Sequence, residues 1–200
     1  MKASVILAHP DKGSFNHALA QTAREVLGAN GYDVAYHDLY KERFPPVLPA
    51  GEIARGASLP RIIRRHCEEI AQADAMVVVH PNWWGQPPAI LKGWIDRVLR
   101  PGVAYSFAEG DCGDGELIGL LKAHTVLIFN TSNTPPERET SLYHDPLENL
   151  WKNNMLVSCG VKNFHRRTFG VMITSSLEQR TQWLRQAAEI TQRHFPRISG

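Results

Sequence analysis

Cysteine is scarce in this chain. Cys67, Cys112 and Cys159 stand far apart among 200 residues, which excludes a disulfide framework and fits a reducing, cytoplasmic setting. Long apolar runs are missing too. The opening stretch Ala3–Ala8 is cut short by His9-Pro10-Asp11-Lys12, too early for a signal-peptide core. No stretch reaches the ~18 apolar residues of a membrane span. Nor does charge of one sign prevail, since 22 Lys and Arg against 20 Asp and Glu leave +2. Arg61, Arg64 and Arg65, and the run His165-Arg166-Arg167, read as solvated helix faces, because no zinc-finger spacing or RNA-binding signature accompanies them. The first loop lacks GxGxxG and GxxxxGK[ST], which disfavours a classical dinucleotide fold and a P-loop NTPase. Nine histidines include no HExxH and no Cys/His cluster, so no metal site is expected. No nucleophile sits at an elbow, which argues against a serine hydrolase.

What is present is ordinary in composition, with 43% apolar and 21% charged residues, enough for one domain over residues 1–200 with a sizeable core. Ala3–Ala8 is a short apolar run that suits a strand covered on both faces. Ser14 is an N-cap candidate for a helix carrying Phe15, Leu19, Ala23, Val26 and Leu27, closed near Asn30-Gly31. Tyr32–Leu39 reads as a more peripheral strand. Leu59, Ile62, Ile63, Cys67 and Ile70 mark an amphipathic helix. Ala75–Val79 is the clearest buried strand, and the next helix carries Ile90, Leu91, Trp94, Ile95, Val98 and Leu99. Residues 101–116 look irregular. Thr125–Asn130 is another buried strand. Asp145, Pro146 and Glu148 announce a helix start by cap, N1 proline and N3 return partner. Phe169–Thr174 is expected to be the last strand, and Ser176 with Gln179 opens the last helix. Strands alternating with helices imply a mostly parallel, doubly wound α/β sheet, with ligands bound beyond the carboxyl ends of the strands.

Three polar or aromatic loops converge at those ends. In the first, His9, Ser14, Phe15 and Asn16 precede or open a helix whose free N–H groups suit a phosphate, although a simple cap explains Ser14 alone. In the second, Pro81, Asn82, Trp83, Trp84 and Gly85 bring two tryptophans that either flank a planar ring such as an isoalloxazine or pack the loop onto the next helix. In the third, Thr131, Ser132, Asn133 and Thr134 offer hydroxyl and amide donors to a flavin edge or ribityl chain, or form a plain turn. Tyr143 and His144 stand ahead of the capped helix as acid/base candidates able to donate to an acceptor oxygen.

Four separated segments resemble the flavodoxin-like NAD(P)H dehydrogenase (quinone) family, which includes mammalian quinone reductases, bacterial modulator of drug activity B proteins and ancillary reductases of potassium efflux systems. They are Leu7-Ala8-His9-Pro10 with Ser14-Phe15-Asn16, Asp38-Leu39-Tyr40, Pro88–Trp94, and Ala104-Tyr105-Ser106-Phe107. The resemblance implies a flavodoxin-like three-layer sandwich, a five-stranded parallel sheet in the order 2-1-3-4-5, and a homodimer with the flavin at the interface. It places the first loop at the flavin phosphates and ribityl region, the second along the ring, and Thr131–Thr134 in the third flavin loop. Tyr143 and His144 correspond loosely to the family's catalytic tyrosine and histidine. Gly85 falls where many members carry a second bulky aromatic. The Ala104–Phe107 match with longer members implies FAD, with FMN as the alternative, and NAD(P)H as electron donor.

The leading expectation is therefore a ping-pong reductase passing hydride from NAD(P)H to quinones or similar acceptors. The alternative is a flavin-bearing regulatory or ancillary subunit, for example one docked on a transporter. No nucleic-acid partner is expected.

Overall fold

The computed structural model describes residues 1–108, 115 and 117–198. Part of the irregular stretch expected over 101–116, Cys112 included, lies outside the described residues. The elements run β1 (Lys2–Leu7), α1 (Phe15–Ala29), β2 (Asp33–Asp38), α2 (Arg61–Gln72), β3 (Ala75–Pro81), α3 (Ala89–Val98), β4 (Tyr105–Phe107), β5 (Leu117–Gly119), β6 (Thr125–Thr131), α4 (Pro136–Ser141), α5 (Pro146–Glu148), β7 (Asn163–Phe169) and α6 (Leu177–His194). Single 3-10 turns lie at Ala50–Glu52 and Met172–Thr174, and α5 continues as a π-helical run over Asn149–Leu156.

The main sheet has the order β2-β1-β3-β6-β7, with every pairing parallel. This is the 2-1-3-4-5 order, with β4 and β5 forming a separate antiparallel pair. Successive side chains of a strand face opposite sides, and the two cores divide accordingly. Met76 and Val78 face a core with α2, α3 and the π-helical run, whereas Ala75, Val77 and Val79 face one with α1 and α6. A strand buried on both faces cannot alternate polar with apolar, which is why Ala75–Val79 reads as one unbroken apolar run. Close approach sets Gly93 on α3: a Cβ there would stand 2.1 Å from the Pro46 carbonyl oxygen.

Several local expectations need correction. The last strand is Asn163–Phe169 rather than Phe169–Thr174. The apolar letters at 171–174 form a 3-10 turn instead, and the strand itself is an edge rich in polar residues. His165-Arg166-Arg167 therefore belongs to that strand and not to a helix face, and the Arg166 side chain is only 9% exposed. Ser14 occupies the N-cap of α1 but makes no capping bond to a backbone N–H. Asp145 does accept from Glu148 N at 3.2 Å, whereas Glu148 turns to Arg166 instead of closing the box. Ser176 caps α6 through Gln179 N at 3.1 Å, and Lys92 pairs with Asp96 at 2.5 Å.

Candidate active site

The reversal of strand order between β1 and β3 opens a crevice at the carboxyl edge of the sheet. An inner cavity of about 280 Å³ lies there, lined by His9, Ser14, Phe15, Asn16, Pro81, Asn82, Trp83 and Thr131–Thr134, together with Met172. An outer cavity of about 420 Å³ adjoins it, sharing Asn82 and Thr134 and adding Trp84, Gly85, Glu139, Tyr143 and Pro146. The structure thus brings the residues of all three expected loops to two adjoining cavities, with Tyr143 beside them. His144 lines neither cavity. Met172, Glu139 and Pro146 were not among the sequence candidates.

The inner cavity is rich in neutral donors, and no Lys or Arg lines it among the described residues. His9 Nδ1 faces the backbone of Asp11, 3.1 Å from its N–H and 3.3 Å from its carbonyl oxygen, so it accepts from the one or donates to the other according to the state of the ring. Burial holds His9 below the usual histidine range, against an opposing hydrogen bond from the ring to the Asp11 carbonyl. The N–H groups of Phe15 and Asn16, at the start of α1, form no backbone hydrogen bond among the described residues. Asn16 is 2% exposed. Its Nδ2 donates to Thr131 Oγ1 at 2.9 Å, while its Oδ1 is buried without a partner. An unpaired buried acceptor is costly and suits a ligand hydroxyl.

The second loop is a two-residue turn. Trp83 and Gln86 exchange both backbone hydrogen bonds at 3.1 Å, and Trp84 and Gly85 both have positive φ, 57° and 70°. That geometry favours Gly, Asn or Asp and strains a tryptophan. It also throws Trp84 fully into solvent, at 102% exposure. A Cβ on Gly85 would stand 2.6 Å from Pro146 Cγ, so a bulky aromatic does not fit at this position. Asn82 braces the turn, accepting from Gly85 N and donating to Glu139 Oε1, both at 2.9 Å. In the third loop Ser132 Oγ accepts from Thr134 N at 3.0 Å, and Asn133 Oδ1 accepts from Ile173 N at 2.9 Å. The 3-10 turn over 172–174 thus pins this loop and delivers Met172 to the cavity.

A model of the flavodoxin-like fold matches residues 1–194. The chain belongs to the flavodoxin-like fold family. An uncharacterized NAD(P)H oxidoreductase of Haemophilus influenzae is 34% identical over 193 residues, covering 94% of this chain and 93% of that protein. NAD(P)H dehydrogenase [quinone] 1 of Cavia porcellus is 32% identical over 217 residues, 78% of this chain and 79% of the relative. Among solved structures, the NAD(P)H:quinone oxidoreductase of Methanothermobacter marburgensis superposes with a TM-score of 0.81 at 26% identity, covering 96% of this chain and 95% of the other.

Beneath the crevice of this flavodoxin-like fold lies a buried polar network. His80 Nδ1 donates to the Pro81 carbonyl at 2.8 Å. That fixes the tautomer, because Trp151 Nε1 and Asn130 Nδ2 both donate to Nε2, at 3.0 and 2.9 Å. Complete burial pushes His80 down to about 4, with the Arg166 charge adding to the effect. Arg166 continues the network to Glu148 at 2.9 Å, to Thr168 at 3.0 Å, and to Asp145. Asp145 and His144 have φ of 45° and 55°. The guanidinium thus ties down a strained turn next to Tyr143. The sequence signal for this network was a histidine and an asparagine at the ends of neighbouring strands, which period-two patterning alone does not mark as partners.

A second polar cluster lies on the far side of β2. His37, Glu42 and His66 hold potential ligand atoms within 4.8 Å of one another. Trp94 Nε1, which can only donate, reaches His66 Nδ1 at 3.0 Å. The neutral His66 proton is therefore on Nε2, the nitrogen facing Glu42 at 3.0 Å, where a metal would have to displace it. Burial opposes the charge on Glu42, but hydrogen bonds from His37 and His66 outweigh it and hold the carboxyl well below its ordinary range. The cluster braces β2 against α2, and His37 Nε2 also approaches Glu69 Oε2 of α2 at 2.6 Å. Cys67 and Cys159 are buried free thiols, each pushed up by burial to about 11, and so inert as nucleophiles. No helix among the described residues is long and apolar enough to cross a membrane.

Proposed function

We propose that this chain is a flavin-dependent NAD(P)H oxidoreductase that reduces quinones or similar flat acceptors, acting as a cytoplasmic homodimer whose residues 1–200 form one flavin-binding domain. The observation that carries the reading is the convergence of three loops on an inner cavity that contains the unpartnered Asn16 Oδ1. The cavity's donor set fits a flavin. His9, the Ser14 hydroxyl and the free N–H groups opening α1 would hold the phosphate, with help from the positive end of the helix. Asn16 would accept from a ribityl hydroxyl, Trp83 and Pro81 would flank the ring, and Ser132–Thr134 would meet its polar edge. When bound, the flavin supplies the two-electron relay between NAD(P)H and acceptor, in ping-pong order. The match of Ala104–Phe107 carries the choice of FAD over FMN.

The outer cavity, walled by Trp84, Tyr143 and Pro146 and floored by Glu139, is the place for nicotinamide and acceptor in turn. Tyr143 would donate a hydrogen bond to the acceptor oxygen as charge develops there. The rim of the outer cavity is aromatic and open: Trp84 is fully exposed and Tyr143 49%. A second copy of the chain covering that rim would exclude water from the reacting groups. The homologous NAD(P)H oxidoreductases support the activity. Purified protein should carry one flavin per subunit, read by its absorbance and identified by chromatography after release. It should also oxidise NAD(P)H with a quinone present and sediment as a dimer. Saturable binding of neither FAD nor FMN would overturn the reading.

A further inference from the structure

We infer that His17 is a positioning residue that couples binding of the cofactor phosphate to uptake of one proton, an inference that rests on the flavin reading above. His17 lies in the first turn of α1, with its ring between Ser14 and Asp38. Its Nε2 is 3.2 Å from Asp38 Oδ2 and its Nδ1 is 3.1 Å from Ser14 Oγ. A carboxylate only accepts, so Nε2 carries a proton in either charge state of the ring. The state of Nδ1 then decides what the serine can do. With a neutral ring, Nδ1 accepts the Ser14 hydroxyl proton, and Oγ turns lone pairs toward the cavity, which repel a phosphate oxygen. With a protonated ring, Nδ1–H donates to Oγ, and the hydroxyl hydrogen is released to point at the phosphate. The loop therefore becomes a competent anion receptor when the ring takes a proton from solvent, and a bound phosphate favours that charged ring in return.

The surroundings suit such coupling. Asp38 on β2 is 8% exposed and supplies a counter-charge, while its Oδ1 accepts from Lys41 N at 3.1 Å. His9, from the loop after β1, faces His17 edge-on with ring centroids 6.4 Å apart. Burial already disfavours a charge on His9, and the His17 ring adds to that, whereas His17 has the Asp38 carboxylate beside it. The Asp11 carboxylate is engaged with Gly13 N at 2.9 Å.

Calorimetric titration of the apoprotein with FAD, in two buffers of different ionisation enthalpy, counts the protons taken up. FAD is the better probe because its diphosphate does not titrate near neutrality, whereas the FMN phosphate changes charge near pH ~6. If only FMN binds, the titration is run above that range. Close to one proton should be taken up, and affinity should fall with rising pH by up to about tenfold per unit. Riboflavin, which lacks the phosphate, should bind without uptake. In His17→Gln the uptake should vanish, and affinity at low pH should drop about tenfold or more with riboflavin unaffected. Asp38→Asn keeps the ring but removes its counter-charge, so the same uptake should move to lower pH, a check that holds if the His17 variant fails to fold. Flavin binding without uptake, equal uptake with riboflavin, or uptake surviving in folded His17→Gln would overturn the inference and leave the flavin reading standing. Failure of any flavin to bind would sink both.

Discussion

Asn16, Thr131 and Ser132, in the inner cavity, are 2%, 6% and 5% exposed, and each sits at the end of a strand or the start of a helix. Trp84 and Tyr143, on the outer cavity, are 102% and 49% exposed and sit on loops held in or beside left-handed backbone. The first set is positioned by the sheet, which would stand without any ligand. The second is positioned by a few cross-braces: Asn82 to Glu139, Pro146 against Gly85, and Arg166 to Asp145. Under the flavin reading, cofactor affinity is then encoded mainly in one subunit, whereas acceptor chemistry depends on braces and on whatever covers the rim.

The largest expected effect comes from removing the main brace. Arg166→Met keeps the aliphatic packing of the stem but leaves Asp145, Glu148 and Asn130 Oδ1 without their guanidinium. Breaking a buried pair in this way costs about 3 kcal/mol, at the lower end of the range because the two carboxylates are partly exposed. Thermal unfolding should shift down by roughly 10 °C. A variant as stable as the parent would show that the Tyr143–Asp145 turn stands by itself and would dissolve the contrast between cradle and rim.

Next in size is the pH response of His80 at the base of the cradle. Its folded pKa lies below the unfolded value of about 6.5, at about 4. The unfolded chain therefore binds more protons between those values. Stability is fully present above about pH 6.5 and is lost as pH falls toward 4. At pH 5 the loss due to this ring is about 2 kcal/mol. Urea unfolding at pH 7 and pH 5 should show that extra loss in the parent protein and not in His80→Asn. An equal loss in both would mean that other groups govern the acid response.

Trp84→Gly separates strain from binding. Glycine takes positive φ without penalty, so stability should stay level or rise by up to about 1 kcal/mol. Flavin affinity should stay level, whereas the apparent affinity for the acceptor, which meets the indole face in the outer cavity, should fall about tenfold, equal to 1.4 kcal/mol. Loss of stability with unchanged acceptor kinetics would place Trp84 among packing residues instead.

The cradle was largely legible in the sequence, for a physical reason. Strands buried on both faces leave unbroken apolar runs, and the loops that end them begin at His9, Pro81 and Thr131. The order of the sheet came with the family resemblance, not from periodicity. The rim was less legible. Glu139 sits in a short helix that the polar run after Pro136 did not announce. Arg166 lies in a strand whose charges resembled a helix face, and its partners Asp145 and Glu148 are about twenty residues away. Met172 reaches the cavity only because the apolar run over 171–174 turns instead of extending. His17 carries no signal in the sequence because its partners, Ser14 and Asp38, come from the cap of α1 and the end of β2, and only the parallel pairing of β2 with β1 brings Asp38 alongside.

The smallest expected effect falls on Tyr143, at the outer edge of the rim. Its phenol is half exposed, and its backbone N–H is held by the Arg138 carbonyl at 3.4 Å. Tyr143→Phe removes one hydroxyl and little packing, so stability and flavin content should not change. A single hydrogen bond to an acceptor oxygen in a half-open site contributes about 1 kcal/mol, against the larger figure for an enclosed oxyanion donor. The half-reaction with a quinone should therefore slow by about fivefold, while the half-reaction with NAD(P)H keeps its rate. Stopped-flow absorbance resolves the two. Equal slowing of both would mean that the phenol shapes the pocket for every ligand and donates to none. No slowing of either would remove Tyr143 from the chemistry and make His144, the adjacent residue, the next to replace. A slowing that grows far beyond fivefold would indicate that the rim is closed during turnover, because only a water-excluded site raises one hydrogen bond to that weight. If a second copy covers the rim as proposed, dilution that separates the subunits should then reduce the quinone half-reaction in the parent protein by a similar factor, and an unchanged rate on dilution would detach the chemistry of Tyr143 from any second copy.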